Sequence, residues 1–171
     1  MDPVLRVLLG RAGARRASLL GLARVVPPDL WSRRASSGAW TAHEHLAHAL
    51  SADAVITAVL PRFSETSATA LLELRAAALE SAMSLPIDDL LNLASSRRDE
   101  LRRFFATLPS GALQLEGLYD RADQGGARWP VTLGAYLALW AVHDSEHEQA
   151  IREAIAVPPD LSAIAHVRRL R

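Results

Sequence analysis

The sequence contains no cysteine and no lysine. The first absence rules out a cysteine nucleophile, a cysteine-ligated zinc or iron–sulfur site and a disulfide framework. Any thiol chemistry must therefore arrive with a cosubstrate. The second removes Schiff-base chemistry by a lysine amine, since all 19 cations are Arg. An excess of either charge is missing too: 19 Arg balance 19 Asp plus Glu, so the composition favours neither nucleic acid nor an anionic membrane as a partner. No uninterrupted apolar run approaches the length of a membrane span. A Gly-rich phosphate loop, a Ser-centred elbow and a paired-carboxylate motif are likewise missing.

What is present is a chain of 171 residues, half of them hydrophobic, enough for one domain with a real core. Residues 1–171 read as a single helical domain of a cytoplasmic protein. Between Asp2 and Asp29 there are five Arg (Arg6, Arg11, Arg15, Arg16, Arg24) and no acid, a balance that resembles a transit peptide. The same stretch offers Val4, Leu5, Leu8, Ala12, Leu19, Leu20 and Leu22 as a core face, so it is read as a first helix.

Helix formers dominate and period-two alternation is scarce, which predicts an all-α four-helix bundle. The helices are placed at about 3–24, 41–60, 86–108 and 132–156. Pro3 stands near the first start and Pro27-Pro28 stop that helix. Thr41 and Glu44 have the spacing of a reciprocal capping box. The stretch 61–85, bounded by Pro61 and Pro86, is a long crossover between helices two and three that carries its own helix. Asp120 to Pro130, with Gly125-Gly126, is expected to be loop. Five Arg pairs, among them Arg15-Arg16, Arg97-Arg98 and Arg102-Arg103, could bind phosphate or an anionic substrate, but most read as solvated helix faces.

His143 and His147 are four apart, so on a helix their rings project from one face and can share a metal ion. They fall on a stripe with Leu133, Tyr136, Trp140, Ala150 and Ala154 that faces the bundle interior. Helix two offers His43, His45 and His48. His48 shares a face with Ala52, Val55 and Val59, whereas His43 points away, and His45 is placed to pack on Trp40 as a hydrophobic staple. Leu46 and Leu50 lie opposite His48, so helix two is apolar on both sides and either lies deep in the bundle or meets a second subunit.

Trp40-Thr-Ala-His-Glu-His-Leu-Ala-His48, followed about ninety residues later by His143-Asp-Ser-Glu-His147, resembles the DinB/YfiT-like four-helix-bundle metalloproteins. The likeness extends over nearly the whole chain. It implies a homodimer, a long second-to-third crossover and a divalent metal (zinc, nickel or iron) held by His48, His143 and His147. It also implies chemistry with a low-molecular-weight thiol, of S-transferase or isomerase type, on a small-molecule electrophile. A hydrolase on the same triad and a non-catalytic dimeric metal-binding protein are the alternatives. Each ligating imidazole needs an acceptor for its second nitrogen, and Asp144, Glu146 and Glu44 are the candidates, Glu44 being already claimed by the capping box. Tyr136 is a candidate for the substrate pocket or for the core.

Overall fold

The computed structural model describes residues 1–121 and 127–156. Among them are five α-helices: α1 (Pro3–Val25), α2 (Ala42–Val59), α3 (Ala68–Met83), α4 (Ile87–Ala106) and α5 (Leu133–Ala156). Their starts follow local chemistry. The Asp2 carboxylate accepts from the backbone N–H of Val4 at 2.7 Å and of Leu5 at 3.3 Å, with Pro3 as the first helical residue. The capping box closes at α2, where the Glu44 N–H donates to Thr41 Oγ1 and the Glu44 carboxylate accepts from the Thr41 N–H. Ser67 caps α3, and the Thr132 hydroxyl accepts from the Ala135 N–H at the start of α5.

One stretch departs from the expected loop. Strands β1 (Glu116–Arg121) and β2 (Ala127–Thr132) pair antiparallel in a two-stranded hairpin, with Tyr119 opposite Trp129. Tyr119, Trp129, Val131 and Thr132 around a Gly-Gly pair are a strand–turn–strand signal, outweighed in the sequence reading by the density of breakers. Pro130 is tolerated because both strands are edges. The hairpin seats on Phe63, where a Cβ at residue 117 would approach the ring to 2.8 Å, so Gly117 is needed for close approach. The Gly125-Gly126 pair and the basic tail from Leu161 lie outside the described residues.

The core divides into two clusters, and the order in which each helix visits them gives the topology. α1 passes from Leu5 and Ala12 in the first cluster to Leu19 and Leu22 in the second, and α5 likewise from Leu133 and Leu137 to Ile151 and Ala154. α2 and α4 run the other way, from Leu46 and Leu90 in the second to Val59 and Phe105 in the first. α3 enters at Leu71 in the first and leaves at Ala82 in the second, so the crossover returns the chain along the bundle and makes α2 and α4 parallel. α2 packs against α3, α4 and α5 together. Its two-sided apolar character is thus consumed within the chain, the first of the two outcomes its wheel allowed.

At the border of the two clusters each of the four bundle helices contributes one buried charge. Arg16 on α1, Asp53 on α2, Arg98 on α4 and Asp144 on α5 all have 6% or less of their surface exposed. Arg16 grips Asp144 bidentately through Nε (2.7 Å) and Nη2 (2.9 Å), and its Nη2 also donates to the Ala49 carbonyl at 3.1 Å. Arg98 donates from Nε to Asp53 at 2.8 Å and from Nη2 to Asp144 at 3.2 Å. The Trp140 indole N–H donates to Asp53 at 3.1 Å, and the Arg98 guanidinium lies 4.6 Å from the centre of the Trp140 ring. Burial opposes the charge on Arg16, but Asp53 and Asp144 outweigh it and hold its pKa above the usual value.

This corrects the reading of the Arg pairs as solvated faces. Neighbouring helical residues diverge by about 100°, so one member of Arg15-Arg16 and one of Arg97-Arg98 turns inward. Their partners are distant in the chain, Asp144 lying 128 positions from Arg16, and no local pattern announces them. Arg102 conforms to the expectation: its side chain is 59% exposed and pairs with Asp99 at 3.4 Å.

Candidate metal centre

Immediately beside the charged layer the structure brings together the three predicted histidines. One ring nitrogen from each of His48, His143 and His147 lies within 4.8 Å of the others. The ring centroids are 5.0 Å apart for His48 and His143, 4.7 Å for His48 and His147, and 4.5 Å for His143 and His147. The geometry follows from the helices: a four-residue step on α5 stacks His143 and His147 on one face, and the α2–α5 contact carries His48 to meet them. His43 does not join, and its Nε2 is buried without a hydrogen-bond partner.

Burial governs the electrostatics. It pushes the His48 pKa down to about 4, with the charges of Arg75 and His45 adding to the effect. His143 falls to about 3, chiefly by burial and then by His48 and Arg16, against the pull of Asp53. His147 falls to about 2 through burial and its three histidine neighbours. All three imidazoles are therefore neutral near pH 7 and offer lone pairs.

The residues suit a divalent cation. Nδ1 of His48 and Nδ1 of His143 are buried with no hydrogen-bond partner among the described residues, and such an atom costs about 1–3 kcal/mol. Three neutral imidazoles that leave a position open form a donor set used by catalytic metals, and zinc, nickel, iron and copper all accept it.

The sequence candidates around the triad fare unevenly. Both carboxylate oxygens of Asp144 are engaged by the two arginines, so it serves the charged layer instead of an imidazole. Glu146 is exposed. Glu44 is held by the capping box, and its hydrogen bonds with Thr41 keep its pKa below the usual carboxylate range. Tyr136 is buried in the first core cluster with its ring 5.6 Å from that of Phe63, which favours the core of the two roles considered for it. The ring of Trp40 lies 5.4 Å from His45, as the staple requires.

Sequence reasoning missed two features. His45 reaches beyond Trp40, its Nδ1 lying 3.1 Å from Nδ1 of His147. Asp53 was passed over entirely, although a lone acid amid the Ala and Val of α2 is itself a signal of a buried, paired charge. Arg75 on α3 is the other group whose charge acts on both His48 and His143.

The family model of the DinB superfamily matches residues 12–151, a span that contains the triad and all four buried charges. The chain belongs to the DinB superfamily. Two solved structures share the DinB architecture, one of a mycothiol-dependent maleylpyruvate isomerase and one of a histidine-to-alanine mutant of such an enzyme. The mutant superimposes with a TM-score of 0.65 at 16% identity, the other with 0.64 at 15%. Each match covers 88% of this chain but only 63% of the isomerase chain. At that identity the likeness establishes the shared fold. No curated protein matches the sequence significantly. The bundle with its helical crossover, expected from the motif pair, is thus the DinB fold, and no described helix is long and apolar enough to cross a membrane.

Proposed function

We propose that this DinB protein binds a divalent metal through His48, His143 and His147 and catalyses a transferase or isomerase reaction between a low-molecular-weight thiol and a small electrophile. The observation that carries the reading is the convergence of three neutral imidazoles from two helices, in a chain that has no cysteine of its own. Mycothiol dependence in the structural neighbours supports a thiol cosubstrate of that class. A cation at the triad would supply Lewis acidity, lowering the pKa of a thiol drawn to its open side.

The protein's own groups prepare that step. Burial keeps the three rings unprotonated, so a cation there retains its full charge. Trp40, 39% exposed, lies against His48 at 5.0 Å and stacks over His147 at 6.3 Å with 16° between the planes, which shields one side of the centre from water. The charged layer beneath it sums to zero, two Arg against two Asp, so Asp53 offsets part of the repulsion that Arg16 exerts on positive charge at the triad.

A hydrolase would need a carboxylate free to act as general base. Asp53 and Asp144 are locked in ion pairs, Glu44 in its capping box, and Glu146 faces solvent, so the thiol reading is preferred. The homodimer implied by the resemblance and the cytoplasmic location read from the sequence belong to the same proposal.

Elemental analysis of purified protein beside His48→Ala and His147→Ala tests the ligand set. The expected result is about one ion per chain in the wild type and a loss of ~10-fold or more in each variant, as for removal of one of three ligands. Undiminished metal in both would dismiss these ligands. A screen of cellular thiols against metal-replete protein and activated electrophiles tests the reaction, and no turnover with any thiol would remove the transferase reading while sparing the metal site.

A further inference from the structure

We infer that His45 is the positioning residue for His147, fixing which of its nitrogens faces the metal; the inference rests on the metal reading above. The two Nδ1 atoms lie 3.1 Å apart, hydrogen-bond distance, so one carries a proton and the other accepts it. A neutral imidazole can give a lone pair to a cation from Nε2 only when its proton sits on Nδ1, and a buried Nδ1–H needs an acceptor. His45 supplies it. The protons are then ordered along the pair, with His147 donating from Nδ1 and His45 accepting on Nδ1 while keeping its own proton on Nε2.

None of the three carboxylates proposed from the sequence takes this role. The carboxylates expected to orient the ligands are engaged elsewhere or exposed: Asp144 with Arg16 and Arg98, Glu44 with Thr41, Glu146 at the surface. Trp40 holds both partners, its ring 5.4 Å from His45 and stacked 6.3 Å from His147, which limits rotation of either imidazole. The capping box fixes the first turn of α2, on which His45 stands, so the acceptor is set on a rigid element.

His45→Asn and His45→Ala separate this role from a merely structural one. Asn places an acceptor oxygen two bonds beyond Cβ, as Nδ1 is in His, and Ala places none. In metal-free protein, long-range proton–nitrogen spectra of the imidazoles should show His147 protonated at Nδ1 in the wild type and in His45→Asn, and a mixture of tautomers in His45→Ala. Competition with a chelator should show Zn²⁺ binding ~10–100-fold weaker in His45→Ala, the usual effect of removing a ligand's hydrogen-bond partner, and ~3-fold weaker or less in His45→Asn. Unchanged tautomer and affinity in His45→Ala would overturn the inference. So would equal impairment of both variants, or a Co²⁺ absorption spectrum and X-ray absorption showing four imidazoles in the wild type, which would make His45 itself a ligand. Wild-type protein that binds no divalent ion would sink the metal reading and the positioning role with it, and the spectra of His147 would still report whether the hydrogen bond exists.

Discussion

Two polar clusters share the middle of this bundle, and they are built on opposite principles. In the charged layer, Arg16, Asp53, Arg98 and Asp144 answer one another across four helices in hydrogen-bonded ion pairs, although Nη1 of each arginine is buried with no hydrogen-bond partner among the described residues. In the histidine cluster beside it, the rings are neutral, and Nδ1 of His48 and of His143 have no hydrogen-bond partner among the described residues. Opposite charges that pair across four helices align them. Neutral imidazoles that converge with lone pairs free are able to accept a cation. The contrast separates the part of the interior that holds the fold from the part to which we assign the proposed chemistry.

The sharpest way to break the comparison is to remove one charge from the first cluster. Asp53→Ala leaves Arg98 and Arg16 with uncompensated charge in the core and strands the Trp140 N–H, so it should cost about 3–5 kcal/mol in chemical denaturation. A loss under about 1 kcal/mol would show that the layer does not align the bundle. His48→Ala, by contrast, removes a ring with an unpaired nitrogen and should leave metal-free stability far closer to the wild type.

Acidification distinguishes the clusters next. The folded pKa values of His48 and His143, about 4 and about 3, lie below the usual value of about 6.5 that they regain on unfolding. Between pH 6.5 and 4 the unfolded chain therefore binds more protons than the folded one, and stability falls as pH falls. Metal-free protein, unfolded by denaturant at pH 7, 6 and 5, should lose stability at each step, and a variant lacking the triad histidines should lose less. Loaded protein should release its ion in the same direction, as protons compete for the imidazoles. A denaturation midpoint that stays level from pH 7 to 5 would contradict the burial of these rings.

Smaller effects probe what supports each cluster. Thr41→Ala opens the capping box that starts α2 and should cost about 1 kcal/mol, measured by thermal melting. Arg102→Ala removes an exposed pair and should change stability by less than about 0.5 kcal/mol. Its near-silence beside a severe Arg98→Ala would show that two arginines one helical turn apart on the same side of α4 differ by burial and partners, Arg98 lying in the ion-paired interior and Arg102 at the surface.

Much of the helical frame was legible in local chemistry. Asp2 with Pro3, Thr41 with Glu44, and the prolines at 61 and 86 place helix ends to within a few residues, because caps and breakers act through neighbours in the chain. The hairpin was not, since two short strands with a proline in one and glycines between them look like a loop until they pair. Likewise the motif pair at His48 and at His143 and His147 was readable as three ring-bearing positions on two inward faces, whereas the acceptor of His147 was not, because carboxylates nearby in sequence seemed better suited than His45.

By itself the sequence settled where helices begin and end, which faces are apolar, that sulfur nucleophiles of its own are impossible, and that a histidine step of four on α5 presents both rings together. Those properties depend on periodicity and on contacts within a turn. Only the tertiary structure decided that Arg16 and Arg98 are buried and which carboxylates answer them, that Asp144 belongs to the helices' alignment and not to an imidazole, and that His45 touches His147 across 102 positions of chain. Each of these is a pairing between distant segments, and a charge or a ring nitrogen finds its partner only after packing has brought the helices to their final register.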